Sequence, residues 1–216
     1  MTQTLTRESS TTRTLLTCGV LGGPLFIIVV VAQEYTREGF DPKQHALSQL
    51  SLGDLGWLQI ANFIVTGLLF IACAVGMRRV LRGQPGGTWG PWLFGTFGAA
   101  LIWGGVFVTD PAYGFPPGTP EGAPDADSLT WHGMLHAVAP TVAAIAIVAA
   151  AMVFARRFHG RGERGWMWYS IGAMVAYLVL AFASFPAGDF RLMLAGGVLG
   201  WSWASVVALR LALRGA

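Results

Sequence analysis

Six apolar runs, each long enough to cross a lipid bilayer, restrict the fold of this chain more than any other feature. They are Leu15–Gln33, Trp57–Met77, Pro91–Thr109, Thr130–Ala155, Trp166–Phe185 and Leu192–Leu213. A span needs about 20 mostly apolar residues. Inside lipid only helices and closed barrels satisfy their own backbone, and runs of this length read as helices. With 216 residues, 54% of them hydrophobic and 12% charged, there is no room for a separate soluble domain. The expected fold is all-α, a polytopic six-transmembrane-helix bundle over residues 15–213, preceded by a polar, mobile segment at residues 1–14. Arg7 and Arg13 ahead of an apolar run also suit a signal peptide. Leu15–Gln33 is long for a signal core and lacks a convincing cleavage site, so it reads as the first span.

Basic residues set the expected orientation. Eleven of the fourteen Lys and Arg fall on one side: Arg7, Arg13, Arg78, Arg79, Arg82, Arg156, Arg157, Arg161, Arg164, Arg210 and Arg214. The other side holds Arg37, Lys43 and Arg191 against nine acids. Both termini are therefore expected in the cytoplasm. The net charge of +3 is the sum of a basic inner face and an acidic outer one, and it implies no nucleic-acid partner. Cys18 and Cys73 both lie inside spans and read as small buried packers rather than a disulfide.

Chemistry concentrates in Trp131-His132-Gly133-Met134-Leu135-His136, at the start of span four. Histidines four apart on a helix share a face, and ionisable groups at membrane depth raise a functional hypothesis. Pro140 removes the backbone bond to the His136 carbonyl and predicts a kink. In the first outer loop, Asp41-Pro42 predicts a helix start. His45, Ser48 and Ser51 would share one face of a short amphipathic helix, and Gly53-Asp54 would end it and cap span two. Gln59, Asn62 and Thr66 form one polar stripe on span two, suited to interhelical hydrogen bonds or to a ligand. Asp110 closes span three at the level of His132. The long Pro- and Gly-rich loop 112–129 would lie over the outer mouth, with Glu121, Asp125 and Asp127 on its solvated face. Asp189 and Arg191 could pair, and His159 is expected in solvent.

His45, His132, His136 and Asp110 thus fall on one membrane side. Three imidazoles and a carboxylate suit zinc, with an open position for water and an acid to orient or deprotonate it. The same residues equally suit a hydrogen-bonded cluster that pins the outer loops to the bundle. Haem is not expected, because histidines four apart on one helix cannot take opposite axial positions.

Several motifs together resemble a known family. They are His45-Ala-Leu-Ser-Gln-Leu-Ser-Leu-Gly-Asp-Leu-Gly-Trp57 with its continuation to Asn62, Gly105-Val-Phe-Val-Thr-Asp-Pro111, Phe115-Pro-Pro-Gly-Thr119, and Trp131-His-Gly-Met-Leu-His136. Over nearly the whole chain they resemble the integral-membrane family catalogued as domain of unknown function 998. That resemblance implies a polytopic bacterial or archaeal membrane protein and carries no activity. The order His45, Asp110, His132, His136 is also similar to the ceramidase and adiponectin-receptor superfamily of membrane hydrolases.

Three functional expectations follow. The first is a metal-dependent hydrolase of an amphiphilic, lipid-like substrate, with His45, His132 and His136 as zinc ligands, Asp110 as acid/base and Ser48 in support. Gln59, Asn62, Trp57 and Trp131 would then contact substrate. The second is a metal-free acid catalyst such as an isoprenoid or terpene cyclase. There Asp110 or Asp41 would protonate the substrate, and Trp57, Trp103 and Trp131 would stabilise the cation. The third is a non-enzymatic ligand-binding or accessory membrane protein.

Overall fold

The computed structural model describes residues 2–123 and 126–214, so Asp125 lies outside the described residues, as do the side chains of Arg7 and Glu8. Six long helices carry the chain: α1 (Thr2–Thr36), α2 (Gly56–Val80), α3 (Trp89–Val106), α4 (Trp131–Gly160), α5 (Arg164–Ala187) and α6 (Arg191–Arg214). Five of them are long and apolar enough to cross a membrane. The sixth, α3, has 18 residues and no charge, but its glycines, tryptophans and Pro91 dilute its apolar character.

Helix α1 begins at Thr2 rather than at the apolar run, because the polar segment before Leu15 continues the same helix. Its hydroxyls help: Thr14 and Thr17 each donate to the carbonyl four residues back, at 3.1 and 2.9 Å. At the other boundary, α3 stops at Val106, which leaves Thr109 and Asp110 on the following loop. The outer-loop helix is smaller than expected. Residues 42–44 form a turn, and the helical piece is a five-residue 3-10 segment, Leu47–Ser51. A second 3-10 turn covers Ala126–Ser128.

Each helix packs on the next, and α6 returns to pack on α1, so the six form a closed ring. Lipid tails are as apolar as leucine, so contact quality rather than water exclusion holds such a ring. Glycine permits the closest crossing. A Cβ on Gly67 would fall 2.5 Å from the Gly98 carbonyl, and one on Gly98 would fall 2.5 Å from that of Gly67. Between α1 and α6, the Ser205 hydroxyl donates to the Gly19 carbonyl at 2.9 Å and accepts from the Gly23 N–H at 3.2 Å.

The two ends of the ring differ. One end, the basic end, gathers the α2–α3 and α4–α5 turns and the last turn of α6. Its interior is an aromatic plug, with Phe94, Phe154 and Trp203 packed ring to ring at 5.9–6.1 Å and Phe70 joining Phe94 at 6.3 Å. The Trp203 indole donates to Ser170 at 3.0 Å, which satisfies its buried N–H. The opposite end, the loop end, carries the two long connections and, among the described residues, the candidate polar residues named above except His159.

Candidate functional site

At the loop end, α3 and α4 are joined by a clasp built from Asp110, Thr130, Gly133 and His136. Thr130 is the N-cap of α4, and its hydroxyl accepts from the Gly133 N–H at 3.1 Å. The Asp110 carboxylate then binds the cap itself, accepting from the Thr130 N–H at 3.0 Å and from its hydroxyl at 2.6 Å. An anion here also meets the positive end of the helix dipole. Gly133 is obligatory for this contact, since a Cβ there would lie 2.0 Å from Asp110 Oδ2. One turn on, buried His136 faces the end of α3. Its Nδ1 lies 2.7 Å from the Phe107 carbonyl and 3.1 Å from that of Gly104. Both partners are acceptors, so Nδ1 carries the hydrogen and donates to carbonyls at the helix terminus, where intrahelical partners run out. Trp103 completes the contact by donating its indole N–H to the Leu135 carbonyl at 2.9 Å. Helix α4 runs unbroken through Pro140.

A second clasp joins the two loops. His45 Nδ1 accepts from the Asp41 N–H at 2.8 Å, so Nε2 carries the hydrogen and donates to the Tyr113 carbonyl at 3.0 Å. The ring packs on Phe40 and Phe115, each 5.3 Å away. Gln49 accepts from the Ala46 N–H and donates to the Ala112 carbonyl, at 2.9 and 2.8 Å. Arg37 donates to the Leu50 and Leu52 carbonyls. Beneath these loops runs the polar stripe, buried as expected. Gln59 Oε1 accepts from Gln33 at 2.8 Å and from Asn62 at 3.3 Å, and Asn62 also donates to the Phe26 carbonyl at 3.2 Å. Thr66 extends the chain to Asn62 at 3.5 Å.

Several expectations require correction. His132 does not face inward: it is exposed and stacks edge-on against Trp131, because the Thr130 cap sets the first turn so that Gly133 and His136 take the buried side. His45 cannot offer a lone pair to a metal while both nitrogens bond backbone groups. Among the described residues, no three His, Cys, Asp or Glu side chains are grouped to hold a metal ion. The donor set therefore does not fit a catalytic zinc, which needs three protein ligands converging on one point. Asp41 is exposed and starts no helix; its carboxylate accepts from the Lys43 N–H at 2.8 Å, closing the turn that holds His45. Ser48 enters through its carbonyl, which accepts from Ser51 at 2.6 Å. Asp54 does not cap α2, whose first residue follows Leu55 with no side-chain cap. Trp57 and Trp131 are both about three-fifths exposed, at 61% and 59%, and Trp103 and Trp131 each pack on Phe107, at 5.2 and 6.1 Å.

Other expectations match. Asp189 and Arg191 form a two-bond ion pair at 2.9 and 2.6 Å, His159 is exposed, and both cysteines are free, Cys73 buried as expected and Cys18 only half-buried. Thr130, Gly133, Gln33 and Gln49 were not singled out as site residues from sequence, and Trp103 only as an aromatic face. Only Thr130 carried a local signal, as a hydroxyl residue three before an N–H at the start of an apolar run.

On its α4 side the loop end is also less covered. Gly133, His136, Pro140, Ile147 and Phe154 lie on one stripe of α4, and all are buried except Pro140. Neighbouring Ala137 and Thr141 are exposed too, whereas Ala151 and Ala155, further along the same side, are buried. Helix α5 buries only Ser170, Met174 and Ser184 over its whole length. The side of α4 that carries Ala137, Pro140 and Thr141 is therefore less covered toward the loop end than toward the basic end.

A family model described as protein of unknown function (DUF998) matches residues 20–210 of the chain. No curated protein and no solved structure matches it.

Proposed function

We propose that this chain, which belongs to the DUF998 family, is a multi-pass protein of the bacterial cytoplasmic membrane that binds an amphiphilic, lipid-like molecule without transforming it. The supporting observation is the exposure of Pro140, Ala137 and Thr141 on a helix side that is buried deeper in the bundle. In this reading the less covered side of α4 is a crevice open toward α5, and it admits an apolar chain sideways from the bilayer. Thr141 supplies a polar group for a head. A binding role is favoured over the two catalytic ones because the hydrolase needs Asp110 and His45 free and the acid catalyst needs Asp110 or Asp41 free, and the Asp41 carboxylate is engaged by the Lys43 N–H. Here their polar atoms hold backbone and cap groups together.

Helix α3 is the sixth span in this reading. Its 18 residues extend about 27 Å at 1.5 Å per residue, close to the hydrocarbon thickness of a bilayer. With six crossings both termini share one side, and the concentration of arginine at the basic end favours the cytoplasm. Reporter fusions at Gly83 and Gly118 should then report opposite sides, with Gly83 inside; the reverse assignment overturns the orientation.

Filling the crevice tests the binding role. Thr141→Trp should lose the amphiphile that co-purifies with the wild-type protein, read by native mass spectrometry, with little change in melting temperature. Wild-type protein that carries no such molecule, or a variant that retains it, refutes the reading.

A further inference from the structure

The buried amides of α1 and α2 hold more hydrogen-bonding capacity than they use. Gln33 and Gln59 are 4% and 0% exposed, yet Gln33 Oε1 and Gln59 Nε2 have no partner. Inverting either amide does not remove the problem. Gln59 Oε1 already accepts from Gln33 Nε2 and Asn62 Nδ2, so turning Gln59 would set its NH2 against two other donors. Turning Gln33 would set its oxygen against the Val29 carbonyl, to which Nε2 now donates at 3.3 Å, and against Gln59 Oε1. Turning both together keeps the bond between them but still sets oxygen against the Val29 carbonyl and NH2 against Asn62, so the arrangement as it stands is preferred, and it leaves one acceptor atom and one donor atom on the two amides joined by a single 2.8 Å bond. Each such group left unmade costs about 1–3 kcal/mol, and lipid offers no substitute.

We propose that these two atoms form a binding site for one neutral hydroxyl group, which donates to Gln33 Oε1 and accepts from Gln59 Nε2. The chemistry excludes ions. A metal cation accepts nothing from Nε2, an anion donates nothing to Oε1, and no charged side chain is bonded within the Gln33, Gln59, Asn62, Thr66 network. The hydroxyl comes either from a water molecule or from the head of a bound alcohol, and both present the same O–H. The inference stands apart from the α4–α5 crevice, because it rests on the opposite wall of the ring.

The test is a high-resolution structure of the full chain in lipid nanodiscs, with native mass spectrometry of the same sample. A density peak at about 2.7–3.2 Å from both Gln33 Oε1 and Gln59 Nε2 is expected. A single-atom peak without added mass identifies water; elongated density with added mass identifies an alcohol; either supports the site. A resolved map with no peak within reach of both atoms overturns it, as does a map in which the two amides bond each other through both pairs of atoms. In a Gln59→Leu variant the peak should disappear; a peak that persists unchanged also overturns the assignment.

Discussion

The two ends of the bundle are closed by different chemistry. At the loop end, neutral or capped polar side chains reach backbone groups: His136 to the end of α3, His45 to Tyr113, Gln49 to Ala112, Asp110 to the cap of α4. At the basic end, Glu163 is ringed by Arg161, Arg210 and Arg214, and Arg210 stacks on Trp166 with its guanidinium 4.1 Å from the ring centre. Arg157 ties the neighbouring turn by donating to Pro85 and Gln84, both at 2.7 Å. A bond to a carbonyl needs one atom in one place, so the loop end tolerates little change. An arginine cluster at the membrane surface offers several interchangeable donors and is screened by salt. The difference separates a rigid end, where geometry is specified, from an adaptable one, where charge is.

The largest expected effect breaks the rigid end. Gly133→Ala places a methyl group against the Asp110 carboxylate and should cost about 2–4 kcal/mol through crowding and lost capping bonds. Asp110→Ala in the same chain should recover part of that loss. Thermal melting of the single and double variants in detergent checks this; an unaltered Gly133→Ala melt would remove the clasp from the argument.

His136→Ala comes next. It leaves the Gly104 and Phe107 carbonyls without their donor, and about 1–3 kcal/mol of stability should go with it. Elemental analysis should give the same metal content in variant and wild type. A stoichiometric divalent metal lost on this substitution would restore the zinc site and end the structural reading.

The smallest effect is expected at the adaptable end and depends on pH. Burial alone would raise the Glu163 pKa, but hydrogen bonds from Arg214, Arg210 and Arg161 outweigh it and hold the carboxyl at about 2 against a usual 4.5. A depressed carboxyl stabilises the folded state fully above its unfolded value, and that contribution is lost as pH falls through its folded value. Wild type should therefore exceed Glu163→Gln by about 1 kcal/mol at neutral pH, after allowance for solvent screening. The gap should shrink between about pH 4.5 and pH 2 and narrow in high salt. A gap independent of both would mean that Glu163 acts through packing.

How much of this was legible from sequence varies by element. The helices α2, α4, α5 and α6 lie within a few residues of the apolar runs, because apolar length is a property of consecutive residues. The start of α1 was missed, since a Ser/Thr-rich segment signals nothing by composition when its hydroxyls fold back on their own helix. The polar residues were found, but their partners were not. His45 bonds a carbonyl 68 positions away, and His136 one that is 29 positions away.

The sequence by itself determined a helical membrane protein, the positions of its helices and the residues that must avoid lipid. Those follow from local hydropathy and from the cost of burying polar atoms. Only the tertiary structure decided what those residues meet. Histidine bonds a carbonyl as readily as it ligates a metal, and the spacing of residues along one helix is the same in both cases. The choice falls to the loops between α1 and α2 and between α3 and α4 and to the end of α3, which bring backbone groups, rather than one another's imidazoles, to the ring nitrogens of His45 and His136.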